Sequence, residues 1–265
     1  MTEQCDYSFP ESLTLGREGR IAVLTLDRVA KRNALDGPTV SALGRFFEQP
    51  PDWARAAVIA ANGEHFSAGL DLSELTERDA VGGLHHSRGW HRVFTTMEYG
   101  TLPVVSALKG AVVGAGLELA ASTHIRVAER STFFALPEGQ RGIFVGGGAS
   151  VRVSRLIGAH RMADLMLTGR VLDADEGTAL GLAHYLVDDG EGVDHAIALA
   201  ERIAENSPVS NYAVIQALPR IAEADPETGL LLESLMAAVA QSSPEAKERL
   251  AAFLEGRAEK VRRDR

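Results

Sequence analysis

The sequence predicts an α/β fold followed by a helical C-terminal region, and three observations carry that prediction. From Ser12 to about Leu136, short β-like runs alternate with turns and helical stretches. After Arg152 the pattern is nearly all helical, with apolar residues at three-and-four spacing and few glycines. At 265 residues, with 45% hydrophobic and 24% charged content, the chain can build a large core without disulfides or metals.

Taken in order, the β-like runs are SLTL, RIAVLTL, RAAVIAA, PVVSALKGAVV, THIRVA and TFFAL. Between them, HHSRGWHRVFTTMEY (His85 to Tyr99) reads as a helix. Gly114, Ala115 and Gly116 follow a β-like run and precede a helical one, so they predict a helix N-terminus with outward-facing amides. Beyond Arg152, helices are expected over residues 194–206, 208–223 and 228–264, punctuated by Asn206-Ser207-Pro208 and Asp225-Pro226. A core over residues 1–200 therefore precedes a helical extension over 201–265 that packs on the core or on a neighbouring subunit. No Gly/Ser linker or repeat separates them.

Composition narrows the function classes. Cys5 is the single cysteine, which argues against a disulfide framework or thiolate metal cluster and fits a reducing compartment. No window approaches the roughly 18 consecutive apolar residues of a membrane span, and MTEQCDYSFPES lacks the order of a secretory signal. A cytoplasmic protein without a membrane partner is expected. The net charge of −9 disfavours nucleic acid. The one basic cluster, Arg257, Lys260, Arg262, Arg263 and Arg265, reads as a solvated helix end. His85, His86 and His91 match no metal-site spacing, so no metal is expected.

Three segments carry candidate chemistry. In KGAVVGAGLELAAS (Lys109 to Ser122), Glu118 is the only charge between Gly110 and Ser122, and a buried carboxylate costs several kcal/mol unless it is paired or used. Ala115 and Glu118 are one helical turn apart, which places a donor amide and a carboxylate on one face. The alternative is a small-residue helix packed on a sheet, with Glu118 paired to a distant arginine. A dinucleotide fingerprint fails because Leu119 occupies the third glycine position. In ANGEHFSAGLDLSEL (Ala61 to Leu75), small residues at a strand end suit a second oxyanion donor, and a plain loop before a helix capped near Asp71 or Ser73 is the competing reading. In FFALPEGQRGIFVGGG (Phe133 to Gly148), Glu138 taken alone reads as a solvated turn residue paired with Arg141. Together with Glu118 it can converge on one water.

These segments resemble the crotonase (enoyl-CoA hydratase/isomerase) superfamily. The resemblance starts at Asp27-Arg28 and Arg32-Asn33-Ala34-Leu35 and continues through Phe66-Ser67-Ala68-Gly69-Leu70-Asp71-Leu72. It then takes in Gly114-Ala115-Gly116-Leu117-Glu118-Leu119, Pro137-Glu138, Arg155-Leu156 and Leu167-Thr168-Gly169. It implies a core of repeated ββα units and a C-terminal region that assembles homotrimers, commonly paired into hexamers. It implies an acyl-CoA thioester substrate, with coenzyme A as part of that substrate and no separate cofactor. It implies Glu118 and Glu138 as the acid/base pair and the Leu70 and Ala115 amides as the oxyanion hole. Ala34, Ala68, Asp71, Gly114 and Gly146 fall among its substrate-side positions, Gly146 matching a glycine that helps hold the catalytic water. Val145 stands where hydratases usually have proline, and Gly256 replaces a lysine. The resemblance thus implies water addition to a 2-enoyl-CoA. A double-bond isomerase or a CoA-dependent lyase is the alternative enzyme, and an RNA-binding relative the alternative outside catalysis. Trp90, Phe94 and Met97 either line the acyl end or, at their helical spacing, belong to the core.

Overall fold

A computed structural model of the chain describes residues 7–74 and 79–257. Cys5, Leu75 and the basic residues beyond Arg257 lie outside them. The described residues fall into two units that divide between Ala204 and Glu205.

The first unit opens with the antiparallel pair β1 (Leu13–Glu18) and β2 (Ile21–Leu26), then α1 (Gly37–Glu48) and β3 (Ala56–Ala61). Helix α2 (Ala80–Glu98) leads to β4 (Val104–Leu108) and β5 (Ala111–Val113). The short helix α3 (Ala115–Ala121), β6 (Ile125–Glu129), β7 (Phe133–Ala135) and a 3-10 turn over Glu138–Arg141 follow. The rest of the unit is α4 (Ala149–Ile157), α5 (Ala159–Thr168), β8 (Leu172–Asp173), α6 (Ala174–Leu180), β9 (Tyr185–Val187) and α7 (Gly192–Ala204).

Six strands form one sheet in the order β1-β2-β3-β4-β6-β9, parallel from β2 onward. A second sheet, β5-β7-β8, pairs β5 with β7 in parallel. All six residues of β3 are buried because its two faces are both covered. Ala57, Ile59 and Ala61 join the core containing Phe46 of α1 and Phe94 of α2, while Ala56, Val58 and Ala60 join the core containing Leu199 and Ala200 of α7. The period of two along the strand divides its side chains between these layers.

Strands coincide closely with the predicted β-like runs. The stretch after Arg152 is less uniform than its pattern predicts, because β8 and β9 interrupt the helices. They are two and three residues long, too short to leave a periodic signal.

The second unit holds α8 (Pro208–Glu223), α9 (Pro226–Ser242) and α10 (Pro244–Leu254). The helix expected over 228–264 is broken at Ser243-Pro244. Ser243 Oγ accepts the Ala246 amide at 3.2 Å, and Pro244 takes a first-turn position where its missing N–H costs nothing. Among the described residues no helix is long and apolar enough to cross a membrane.

Candidate active site

The site is built where two chain reversals meet. After β5, Gly114 adopts φ +53°, in a region that side chains disfavour, and starts α3. Its amide donates to the Ala135 carbonyl of β7 at 3.0 Å. The second reversal follows β3: Ser67 bridges to Val112, and Gly69 turns with φ +101° so closely that a Cβ there would lie 2.8 Å from the Val113 carbonyl. Only glycine permits that approach.

A cavity of about 420 Å³ opens between these reversals. Ala68, Leu70, Gly114, Ala115 and Gly146 line it, and so do both candidate carboxylates, Glu118 and Glu138. The structure therefore brings together seven of the nine residues singled out from the sequence. The other two, Ala34 and Asp71, do not line the cavity. The Asp71 carboxylate is held by Arg28 at 2.6 Å, Lys31 at 2.9 Å and the Ser73 hydroxyl at 2.7 Å, which keep its pKa well below the usual carboxylate range. Asp71 thereby ties the Arg28–Asp36 loop to the Ser67–Asp71 loop, reinforced by Leu35 N–H to Gly69 O at 2.7 Å and Asp71 N–H to Leu35 O at 2.8 Å.

All of α3 is buried, and Glu118 with it at 3% exposure. Its Oε1 accepts the Gly147 amide at 2.8 Å and the Ala149 amide at 3.1 Å. Burial pushes its pKa up, while the Ala149 and Gly147 amides and the charge of Arg152 oppose that rise. The distant arginine of the structural alternative exists, but Arg152 reaches the Gly147 carbonyl at 3.1 Å and Glu98 at 2.6 Å. Its ion pair is with Glu98.

Glu138 is not the solvated turn residue that its local sequence suggests. At 8% exposure it opens the 3-10 turn, and its Oε2 has no hydrogen-bond partner among the described residues. Burial raises its pKa, its own backbone amide lowers it, the neighbouring Glu118 raises it further and Arg141 lowers it. The two carboxyls therefore titrate as a coupled pair. Glu118, whose carboxylate accepts two backbone amides, is the better stabilised of the two in its charged form.

Helix α2 supplies the opposite wall through His86, Ser87 and Trp90. Trp90 stacks edge-on against Phe94 at 5.8 Å and lies 5.6 Å from the His86 ring. Phe94 and Met97 are fully buried and belong to the core. Trp90 is both wall and core, resolving the two readings of that stripe residue by residue. Sequence reasoning did not single out Ser87, Gly147, Ala149 or Arg152. They come from α2, a glycine-rich loop and α4, and no local pattern links them to Glu118.

The chain's sequence and fold are shared with known proteins. The family model described as enoyl-CoA hydratase/isomerase matches residues 16–262. Among curated relatives, a short-chain-enoyl-CoA hydratase of Clostridium acetobutylicum is 31% identical over 249 residues, covering 93% of this chain and 95% of that protein. Enoyl-CoA hydratase EchA19 of Mycobacterium tuberculosis is 30% identical over 257 residues, covering 95% of this chain and 96% of that protein. A solved structure from Rhodopseudomonas palustris, itself provisionally described as an enoyl-CoA hydratase, is 57% identical with a TM-score of 0.91, covering 92% of this chain and 95% of that one. The motifs, the fold and these matches agree that the chain belongs to the enoyl-CoA hydratase/isomerase family, the crotonase superfamily.

Proposed function

We propose that the protein is an enoyl-CoA hydratase that adds water across the double bond of a 2-enoyl-CoA thioester to give a 3-hydroxyacyl-CoA. The observation that carries this reading is the pair of buried carboxyls, Glu118 and Glu138, lining one cavity beside the first amide of α3.

Attack of water at C3 sends negative charge through the conjugated system to the thioester oxygen. The amides of Leu70 and Ala115 form the oxyanion hole, and donors aimed at that developing charge stabilise the transition state more than the ground state. Ala115 is suited to this because the first amides of a helix lack intrahelical acceptors. Glu118, whose ionised form is favoured by the Gly147 and Ala149 amides, holds the water and accepts its proton. Glu138 delivers a proton to C2. The reaction changes no oxidation state and uses no separate cofactor, coenzyme A being part of the substrate. Asp71 acts on substrate through the loops it joins.

The second unit exposes Leu218, Leu230, Leu231, Leu235 and Val239, apolar surface suited to a homotrimer or hexamer. Light scattering that gives a monomer at micromolar protein would refute the assembly. A cytoplasmic location fits the sequence, and the net charge of −9 weighs against nucleic acid as a partner.

The deciding assay mixes the protein with crotonyl-CoA and a longer 2-enoyl-CoA and follows loss of the conjugated thioester's ultraviolet absorbance, with Glu118→Gln in parallel. Loss with 3-hydroxyacyl-CoA as product, abolished in the variant, supports hydration. Thioester binding without loss, with conversion of a 3-enoyl-CoA instead, identifies an isomerase.

A further inference from the structure

The amides that hold Glu118 are themselves held from behind. A trans peptide group points its C=O and N–H in opposite directions, so an anchor on the carbonyl fixes the direction of the amide on the next residue. The Ser87 hydroxyl, on α2, donates to the Gly146 carbonyl at 2.5 Å. The same peptide group's N–H, on Gly147, donates to Glu118 Oε1 at 2.8 Å. Ser87 and Glu118 thus grip one peptide from its two ends. The next peptide repeats the arrangement: Arg152 Nη1 donates to the Gly147 carbonyl at 3.1 Å, and the Gly148 amide adds to the groups favouring ionised Glu118. Arg152 is fixed in turn by Glu98 at 2.6 Å and by the Thr95 hydroxyl at 3.1 Å. Both supports come from side chains outside the carboxylate pair.

We propose that Ser87, backed by Arg152, is a positioning residue for Glu118, acting through the Gly146–Gly147 peptide group, whose carbonyl Ser87 holds and whose N–H donates to the carboxylate. The chain Ser87 O–H, Gly146 C=O, Gly147 N–H and Glu118 carboxylate is a run of hydrogen bonds in which each polarises the next. It lowers the cost of charge on Glu118 and fixes the carboxylate's direction. The family's acid/base pair leaves Ser87 without a part, and the half-buried hydroxyl on the cavity wall acquires one here.

The other charged and titratable groups around this chain are Glu138 and Arg141 on the 3-10 turn, His86, Arg88, His91 and Glu98 on α2, and Arg152 on α4. His91 Nε2 lies 3.4 Å from Ser87 Oγ. Burial and the charges of Arg88 and Arg152 hold the His91 pKa below its ordinary value, opposed by its hydrogen bond to the Gly146 backbone.

The test compares Ser87→Ala with Ser87→Thr, which keeps a hydroxyl. Two readouts are taken: the pH profile of kcat, and the ¹³C NMR titration of Glu118 in protein carrying labelled glutamate, its signal assigned by its loss in Glu118→Gln. Loss of one hydrogen bond in the chain predicts that Ser87→Ala lowers kcat about fivefold with KM within about twofold, and moves the Glu118 titration up by about half a unit. Ser87→Thr restores both. A Glu118 titration in Ser87→Ala that coincides with wild type overturns the proposal, and so does a shift that threonine fails to reverse. The inference rests on the hydratase reading for its kinetic arm only. Wild-type protein that hydrates nothing sinks that reading, and the Glu118 signal still judges the clamp.

Discussion

The Gly147 amide donates to Glu118 Oε1 at 2.8 Å, and a Cβ on Gly147 would lie 2.5 Å from the other oxygen of the same carboxylate. A residue with any side chain here cannot both keep the hydrogen bond and leave Glu118 in place. The third nearest atom to that Cβ is in the ring of Phe94, 3.0 Å away and fully buried, so the clash cannot be relieved on that side. Gly147→Ala is therefore expected to lower kcat by about 10- to 100-fold, a cost typical of misplacing a group at the reacting centre by about 1 Å. KM changes little, because the oxyanion loops are untouched. Steady-state kinetics on crotonyl-CoA check it, and an unchanged kcat would show that Glu118 is not positioned from this loop.

Glu138 is to be judged by two measurements that move in opposite directions. Glu138→Gln removes the proton donor and is expected to lower turnover by roughly 10² to 10⁴ while thioester still binds. Its effect on stability has the other sign. A carboxyl whose folded pKa is raised above the ordinary 4.5 contributes stability that is fully present below 4.5 and is lost as pH rises through the folded value. Glutamine, which does not ionise, escapes that loss. The variant's Tm should match wild type near the bottom of that window and exceed it by about 2 to 4 °C at pH 8. A lower Tm at pH 8 would mean that the Glu138 charge is compensated in the free protein.

These carboxyls also mark how far the sequence could be read. Glu118 is legible because it is a lone charge in an apolar helix, where desolvation demands a reason. Glu138 is not legible alone: its neighbours Pro137 and Gly139 read as a turn, and burial of that turn depends on what packs over it. Strands β2 to β7 show as apolar runs because they are largely buried, whereas β8 and β9 are too short for any period. Ser87 acts through a carbonyl of a loop 59 residues away in sequence, and such a contact exists only once the chain is folded.

Asp71 is expected to behave as a structural tie. Its hydrogen bonds with Ser73 and Lys31, and its pairing with Arg28, depress its pKa, so the stability it contributes is present above the ordinary 3.8 and is lost as pH falls through the folded value. Asp71→Asn should cost about 2 kcal/mol at pH 7, in the range for hydrogen bonds to a charged group, and progressively less below pH 3.8. KM for the CoA thioester should rise, because the Arg28–Asp36 and Ser67–Asp71 loops lose their common anchor. Urea unfolding at neutral and acid pH is the check; a penalty that stays constant with pH would assign the effect to neutral hydrogen bonds instead of the charge.

Trp90 offers a way to separate wall from core within one helix stripe. Its side chain lines the cavity and rests edge-on against Phe94, which does not reach the cavity and is fully buried. Both Trp90→Ala and Phe94→Ala should lose about 3 kcal/mol or more of stability, as large aromatic truncations in cores do. Only the first should also alter selectivity. Removing the indole extends the space beside His86, and each additional methylene accommodated there contributes about 1 kcal/mol. The ratio of kcat/KM for a longer 2-enoyl-CoA over crotonyl-CoA is expected to rise about tenfold in Trp90→Ala and to stay at its wild-type value in Phe94→Ala. Equal ratios in the two variants would place the acyl chain elsewhere in the cavity, toward the exposed Ile143 and Phe144.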